Sequence, residues 1–280
     1  MTVNAISGYS TKTVDAFTLA SITKGMSSDA WNWAAETGKT VVLASNGVAP
    51  MGDYNVAGVN RFGTPAEIDN ILNEVVCTRD RAFTFTIDRQ GRNDRAMTID
   101  AAKQLRKQID EVVTPEVDTY SLGKLIAGAA LSVTGTPTKE NAYELFLETN
   151  AKLDDAKVPA ANRVAWVTPA FYNMLKLDPS FTKASESTVK ALTSGFLGDV
   201  DGVAIVKAPS SYVTSGTHCV IAHKDAWVQP IRLEDYRTHI DPPGISGWLV
   251  EGRIVYDAIV LERLVNGVAT KDGVAVLKNA

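Results

Sequence analysis

Apolar and polar residues alternate from Ala82 to Asp88 (Ala-Phe-Thr-Phe-Thr-Ile-Asp), a period-two pattern that predicts a half-buried strand. After a turn through Arg89-Gln-Gly-Arg92 the period becomes helical. At ~100° per residue, Ala102, Leu105, Ile109, Val112, Val113, Val117 and Tyr120 form one apolar stripe, with Lys103, Lys107, Gln108 and Glu111 off it. Asp94 is the predicted N-cap, and Asp100 suits the helix dipole. Leu122, Leu125 and Ile126 add apolar positions on another side, so the far end is expected to be buried on more than one face. From about Asp94 to Ala130 the pattern is roughly three times the ~11–12-residue mean helix and spans on the order of 50 Å, too long for a small domain. Pro115 stands inside it. An interior proline costs ~3 kcal/mol, which predicts a kink there in preference to two abutting helices.

The segments before the helix are poor in core residues. Residues 1–27 are small and Ser/Thr-rich, with isolated anchors at Val14, Phe17, Leu19 and Ile22, and read as an arm that packs on something else. Trp31 and Trp33 precede a strand at Lys39–Ser45. Turn residues follow at Asn46-Gly47, Pro50, Gly52-Asp53, Gly58 and Gly63-Thr-Pro65, then one or two helical turns over Ala66–Leu72 and a strand from Glu74 to Asp88. Excursions this long are usually functional or disordered.

Beyond the long helix the elements shorten. Helices are predicted at Glu140–Ala156, Pro169–Leu177 and Ser187–Leu197, and strands at Arg163–Val167, Gly202–Val206 and Cys219–Ala222. Asp225–Trp227 and Ile231–Leu233 are short segments, and Arg253–Glu262 is a long terminal strand. The layout is a compact α/β region near 135–245 plus an elongated set of elements from both sides of it.

Composition narrows the classes. The 280 residues are 45% hydrophobic and 21% charged, ordinary for a soluble chain with a sizeable core. A formal charge of −4 argues against a chain that coats nucleic acid with basic surface. Cys77 and Cys219 read as small buried hydrophobes rather than a disulfide, consistent with a reducing compartment. With no signal-like N-terminus and no apolar run of ~18 residues, a soluble intracellular product is expected.

The chemistry-bearing residues assemble no recognisable set. No glycine-rich nucleotide loop, phosphate loop, Cys-x-x-Cys or nucleophile elbow occurs. His218 and His223 point to opposite faces if extended, and His239 precedes the turn Asp241-Pro242-Pro243, so no zinc site is expected. Asp154-Asp155 reads as a solvated helix terminus, and Glu111, Glu116 and Asp118 as surface. Neither a catalytic residue nor a cofactor is predicted. An α/β enzyme on residues 135–245 using His223 or Asp225 is the alternative from another class.

The order of several motifs resembles the tailed-bacteriophage major capsid proteins of the Hong Kong 97 type. They are Arg81-Ala-Phe-Thr-Phe-Thr-Ile-Asp88 before Val113-Thr-Pro-Glu-Val-Asp-Thr-Tyr120, then Val158-Pro-Ala-Ala-Asn-Arg-Val-Ala-Trp-Val-Thr-Pro-Ala-Phe-Tyr172 and Asp178-Pro-Ser-Phe-Thr-Lys-Ala-Ser185. Gly198-Asp-Val-Asp-Gly-Val-Ala-Ile-Val206, Ile221-Ala-His-Lys-Asp-Ala226 and Gly252-Arg-Ile-Val-Tyr-Asp-Ala-Ile-Val-Leu261 complete the series. Their order and spacing, rather than any one of them, carry the resemblance.

The resemblance implies an α+β capsid fold. Residues 1–27 would be an N-terminal arm, 28–88 an extended loop with its base strands, and 89–134 the spine helix of a peripheral domain. Residues 135–248 would form an axial domain, and 249–280 the peripheral domain's C-terminal strand and tail. It further implies self-assembly into hexamers and pentamers of an icosahedral shell enclosing phage double-stranded DNA, without sequence-specific binding. A separate scaffolding protein, a portal and decoration proteins would be partners, with assembly in the host bacterial cytoplasm, residence in the virion and no membrane. Val14, Phe17, Leu19, Trp31, Trp33, Lys39, Tyr54, Arg61, Phe62, Phe83 and Phe85 are the expected intersubunit contacts. By position Lys39 and Asn266 are conceivable partners in a covalent cross-link, although a lysine on a loop strand is usually solvated. An encapsulin-like protein shell is the same-fold alternative.

Overall fold

The computed structural model describes residues 21–35, 38–46, 51–57, 60–64, 70–88, 101–178, 199–265 and 268–279. The arm anchors Val14, Phe17 and Leu19, the N-cap Asp94, the helix at 187–197 and Asn266 lie outside them. In chain order the first half contains β1 (Asn32–Trp33), β2 (Thr40–Asn46), β3 (Asn70–Val76), β4 (Arg79–Asp88), α1 (Ala101–Gln108), a π-helical turn (Ile109–Val113), α2 (Thr114–Gly128) and β5 (Leu131–Thr134). Then come α3 (Ala142–Asp155), β6 (Arg163–Val167), α4 (Pro169–Leu177), β7 (Asp199–Val200), β8 (Val203–Lys207) and β9 (Thr217–His223). The last part holds β10 (Trp227–Val228), β11 (Ile231–Ile240), β12 (Gly247–Tyr256), β13 (Ile259–Val260), β14 (Arg263–Val265), β15 (Val268–Thr270) and β16 (Val274–Lys278).

Alternation of apolar residues builds the central layer. The six-stranded sheet runs β5-β16-β9-β6-β8-β7 and mixes parallel and antiparallel pairs. On one face Ala165, Val167, Cys219, Ile221, Ala275 and Leu277 pack against Phe146 and Leu153 of α3 and Phe171 and Leu175 of α4. On the other, Val164, Trp166, Val220, Ala222, Val274 and Val276 meet Leu122, Leu125 and Ile126 of α2. A sheet covered on both faces needs continuous apolar strands, and every residue of β6 is buried. Strands from outside residues 135–245, β5 and β16, complete this sheet.

A second sheet, β11-β12-β4, is antiparallel throughout, and β1-β2-β3 forms a third. Here the structure corrects several sequence expectations. The strand expected over Glu74–Asp88 is two strands in two sheets, divided at Cys77-Thr78. The reason lies in remote partners: Cys77 is buried with Val41, Leu43, Val228 and Val255, and the Thr78 amide donates to Asp257 Oδ2 at 2.8 Å. Asn70–Leu72, expected to be helical, is strand paired to Ala44–Asn46. β11 extends to Ile240, far beyond Leu233, because a bulge between Leu233 and Asp235 breaks the period that would have revealed it. The terminal strand begins at Gly247 and ends at Tyr256, with Ile259–Val260 paired separately to Trp227–Val228.

The long helix is present but not uniform. Thr114 N donates to Ile109 O, five residues back, which is the π-helical spacing. Pro115 therefore falls in the first turn of α2, where the missing N–H has least consequence. A π turn just before the proline, rather than a break at it, carries the irregularity. The expected burial at the far end is present: Val117, Leu122, Leu125 and Ile126 are all buried.

Candidate assembly surfaces

Helix α2 holds its surroundings on two sides. Asp118, Ser121, Leu122 and Leu125 follow the i, i+3, i+4, i+7 spacing of one face, and all are buried. Asp118, a surface residue by its sequence context, is only 1% exposed. Its carboxylate accepts from Ser21 Oγ at 2.8 Å, Ile22 N at 2.9 Å and Thr23 Oγ1 at 2.5 Å. Three donors make burial of the charge tolerable. Trp166 Nε1 donates to Ile22 O at 2.9 Å, and Gln229 Nε2 donates to Thr23 Oγ1 and Ser121 Oγ, both at 2.8 Å. Residues 21–23 are thus rooted on α2.

Two residues further along, ~200° around the helix, Tyr120 faces the other way. Its hydroxyl donates to Asp257 Oδ1 at 3.0 Å and lies 2.6 Å from Thr78 Oγ1, which donates to Asp257 Oδ2 at 3.0 Å. Glu116, one turn earlier, accepts from Tyr256 Oη at 2.8 Å and pairs with Arg81 Nε at 2.9 Å, so it ties the helix to β4 and β12 rather than standing free. Burial first, and then Glu116, push the Tyr256 hydroxyl well above the usual phenol range. Glu111 is exposed, as expected.

The expected contact residues divide by surroundings. Met51, Val56 and Phe62 are 100%, 78% and 92% exposed, and Tyr54 meets Phe62 edge-on with ring centroids 5.0 Å apart. Asn55 N donates to Arg61 O at 2.9 Å, and Asn60 takes a positive φ of 64°, so this apolar tip is a closed turn. Arg61 is exposed beside it. Trp31 and Trp33, 5.5 Å apart edge to face, pack on the chain's own cluster around Val41 and Leu43, and the Arg232 guanidinium lies 4.0 Å over Trp33. Phe83 and Phe85 stack at 6.5 Å, with the Phe83 ring over Gly252. Lys39 Nζ pairs with Asp80 at 2.5 Å, and Arg253 grips the same carboxylate through Nε at 2.9 Å and Nη2 at 2.7 Å. Those hydrogen bonds, Arg253's first and Lys39's second, hold the Asp80 carboxyl well below the usual range.

The groups considered for chemistry have structural partners. His223 is buried, and its Nδ1 accepts from Asp225 N at 3.1 Å; His218 Nε2 bonds Asn279 Oδ1 at 2.6 Å; His239 lies 3.4 Å from Glu251. Among the described residues no group of three or more His, Cys, Asp or Glu could hold a metal, and no helix is long and apolar enough to cross a membrane. Both cysteines are free and buried, and burial, then Asp257, pushes the Cys77 thiol up to about 11. Exposed Asp154 takes the buried Arg163 guanidinium at 2.7 Å, an ion pair that a merely solvated helix terminus would not make.

No protein-family model matches the sequence, and no curated protein matches it. Solved structures do. The chain superposes on one from Mycobacterium phage Che8 with a TM-score of 0.71 at 17% identity, over 99% of this chain and 98% of that one. The capsid of cyanophage P-SCSP1u matches with a TM-score of 0.70 at 14% identity, over 99% and 93% of the two chains. The mature capsid of bacteriophage PhiM1 matches at 0.67 and 11% identity, over 100% and 92%. With both chains covered almost end to end, the architecture is the α+β fold of tailed-phage capsid proteins. It is the Hong Kong 97-type fold expected from the order of the sequence motifs.

Proposed function

We propose that this chain is the major capsid protein of a tailed phage, a structural rather than catalytic protein. In this reading copies assemble into hexamers and pentamers of an icosahedral head around double-stranded DNA. The observation that carries it is the 51–62 tip. A closed turn presenting Met51, Tyr54, Val56 and Phe62 to solvent has no reason to exist on an isolated chain, and burial on a neighbouring copy supplies one. Tyr54, Arg61 and Phe62 are the contacts best supported. Trp31, Trp33, Lys39, Phe83 and Phe85 have partners within their own chain and would act mainly by holding the loop's base in place. Residues 1–27 serve as the arm, 28–88 as the loop with its base strands, 89–134 with 249–280 as the peripheral domain and 135–248 as the axial domain, except that β5 and β16 belong with the axial sheet they complete. Scaffolding, portal and decoration proteins are the further partners of such a shell. Net charge of −4 suits a container that must release its duplex.

Electron microscopy of the purified protein tests the reading. Closed shells of hexamers and pentamers are expected, with DNA inside when particles come from infected cells. A small discrete oligomer overturns the proposal, and shells loaded with an enzyme instead of DNA assign the chain to protein nanocompartments.

A further inference from the structure

Two carboxylates, Asp118 and Asp257, are 1% and 3% exposed, and each grips the root of a different segment. Asp118 holds residues 21–23, near the inner end of the proposed arm, and Asp257 holds Thr78, where the loop returns to β4. Both attach to α2, Asp118 as one of its residues and Asp257 through Tyr120. A second route joins them. Gln229 bonds Thr23 and Ser121, and the next residue, Pro230, accepts at its carbonyl from Asp257 N at 3.1 Å. The polar groups thus form one continuous path, Asp118–Thr23–Gln229–Pro230–Asp257–Thr78, beside α2.

We propose that this path couples the arm root to the loop root, so that loosening either one loosens the other. The physical basis is that neither carboxylate can lose a donor cheaply. A buried carboxylate left short of hydrogen bonds must draw in water or shift its neighbours, and the neighbours of each are shared with the other through α2 and Gln229. Coupling of this kind is reciprocal by thermodynamic necessity. The proposal concerns the single chain and is independent of shell assembly. In an assembled shell the same path would make arm and loop respond together.

Amide hydrogen exchange on the full-length chain tests it. Asp118→Asn keeps the shape and removes the charge; Thr78→Val removes one hydroxyl from the other end; Gln229→Met touches neither carboxylate. Each variant is expected to speed exchange about ten-fold or more at both the Ile22–Lys24 and the Cys77–Thr78 amides, with the β6 and β9 amides unchanged. Acceleration confined to the substituted root, or equal acceleration through β6 and β9, overturns the proposal. If Asp118→Asn does not fold, Thr78→Val carries the same test from the opposite end, read at Ile22–Lys24.

Discussion

The amide of Ile22 donates to the carboxylate of Asp118 at 2.9 Å across 96 residues of sequence. That bond and its two companions from Ser21 and Thr23 make α2 an anchor for the beginning of the chain. Asp118→Ala leaves these donors unpaired in a buried site and is expected to cost on the order of 3 kcal/mol. Denaturant unfolding of unassembled protein checks this, and a loss within about 0.5 kcal/mol, typical of a surface substitution, contradicts it.

The exposed tip predicts the opposite behaviour. Phe62 is 92% exposed on its turn, with its ring edge-on to Tyr54, so Phe62→Asp should leave the stability of the unassembled chain within about 0.5 kcal/mol. Shells should fail to form. Particle yield by sedimentation, read beside the unfolding midpoint, separates the two effects.

Asp80 sets an acid dependence. Its carboxyl titrates below the ordinary value in the folded chain, so the folded state binds its proton less readily than the unfolded one. The resulting stability is fully present above the unfolded pKa of about 3.9, erodes as pH falls below that, and is gone once Asp80 is protonated in the fold. Asp80→Asn should flatten the acid limb of a stability–pH curve. The change should be small, because the Lys39–Asp80–Arg253 group is partly solvated.

Thiol chemistry should be silent in the native state. With Cys77 pushed up to about 11 and Cys219 fully buried, neither is appreciably thiolate at about pH 8. Alkylation followed by mass spectrometry should label neither until denaturant is added, then both.

Two glycines predict a graded pair. A Cβ on Gly273 would come 2.2 Å from Ala226 Cβ, which cannot swing away from its backbone. A Cβ on Gly252 would come 2.3 Å from Phe83 Cζ, the outer edge of a ring that is only partly buried. Gly273→Ala should therefore destabilise more than Gly252→Ala, the former toward the upper end of the ~1–3 kcal/mol of overpacking. Equal unfolding midpoints for the two would refute the distinction.

Regular local periodicity is legible in the sequence alone. The helices at Glu140–Ala156 and Pro169–Leu177 and the strands at Arg163–Val167 and Cys219–Ala222 agree with the fold to within about two residues. Their patterns are dominated by neighbours one turn or one pleat away. Legibility ends where the pattern is irregular or the partner remote. The β11 bulge hides a ten-residue strand, and the break at Cys77-Thr78 depends on Asp257, 179 residues from Thr78. Asp118 gives no local sign of burial, since a charged residue in a helix reads as solvated until its donors are known.

The sequence by itself determined the regularly patterned helices and strands, the absence of a familiar catalytic motif, and the order of elements that marks a phage-capsid fold. Only the tertiary structure decided that α2 has two working faces, that Asp118 and Asp257 are buried, and that Met51, Tyr54, Val56 and Phe62 are exposed. The physical reason is range. Periodicity records contacts within a few residues, whereas a buried carboxylate is made tolerable by donors that the fold brings from about 100 to 180 residues away.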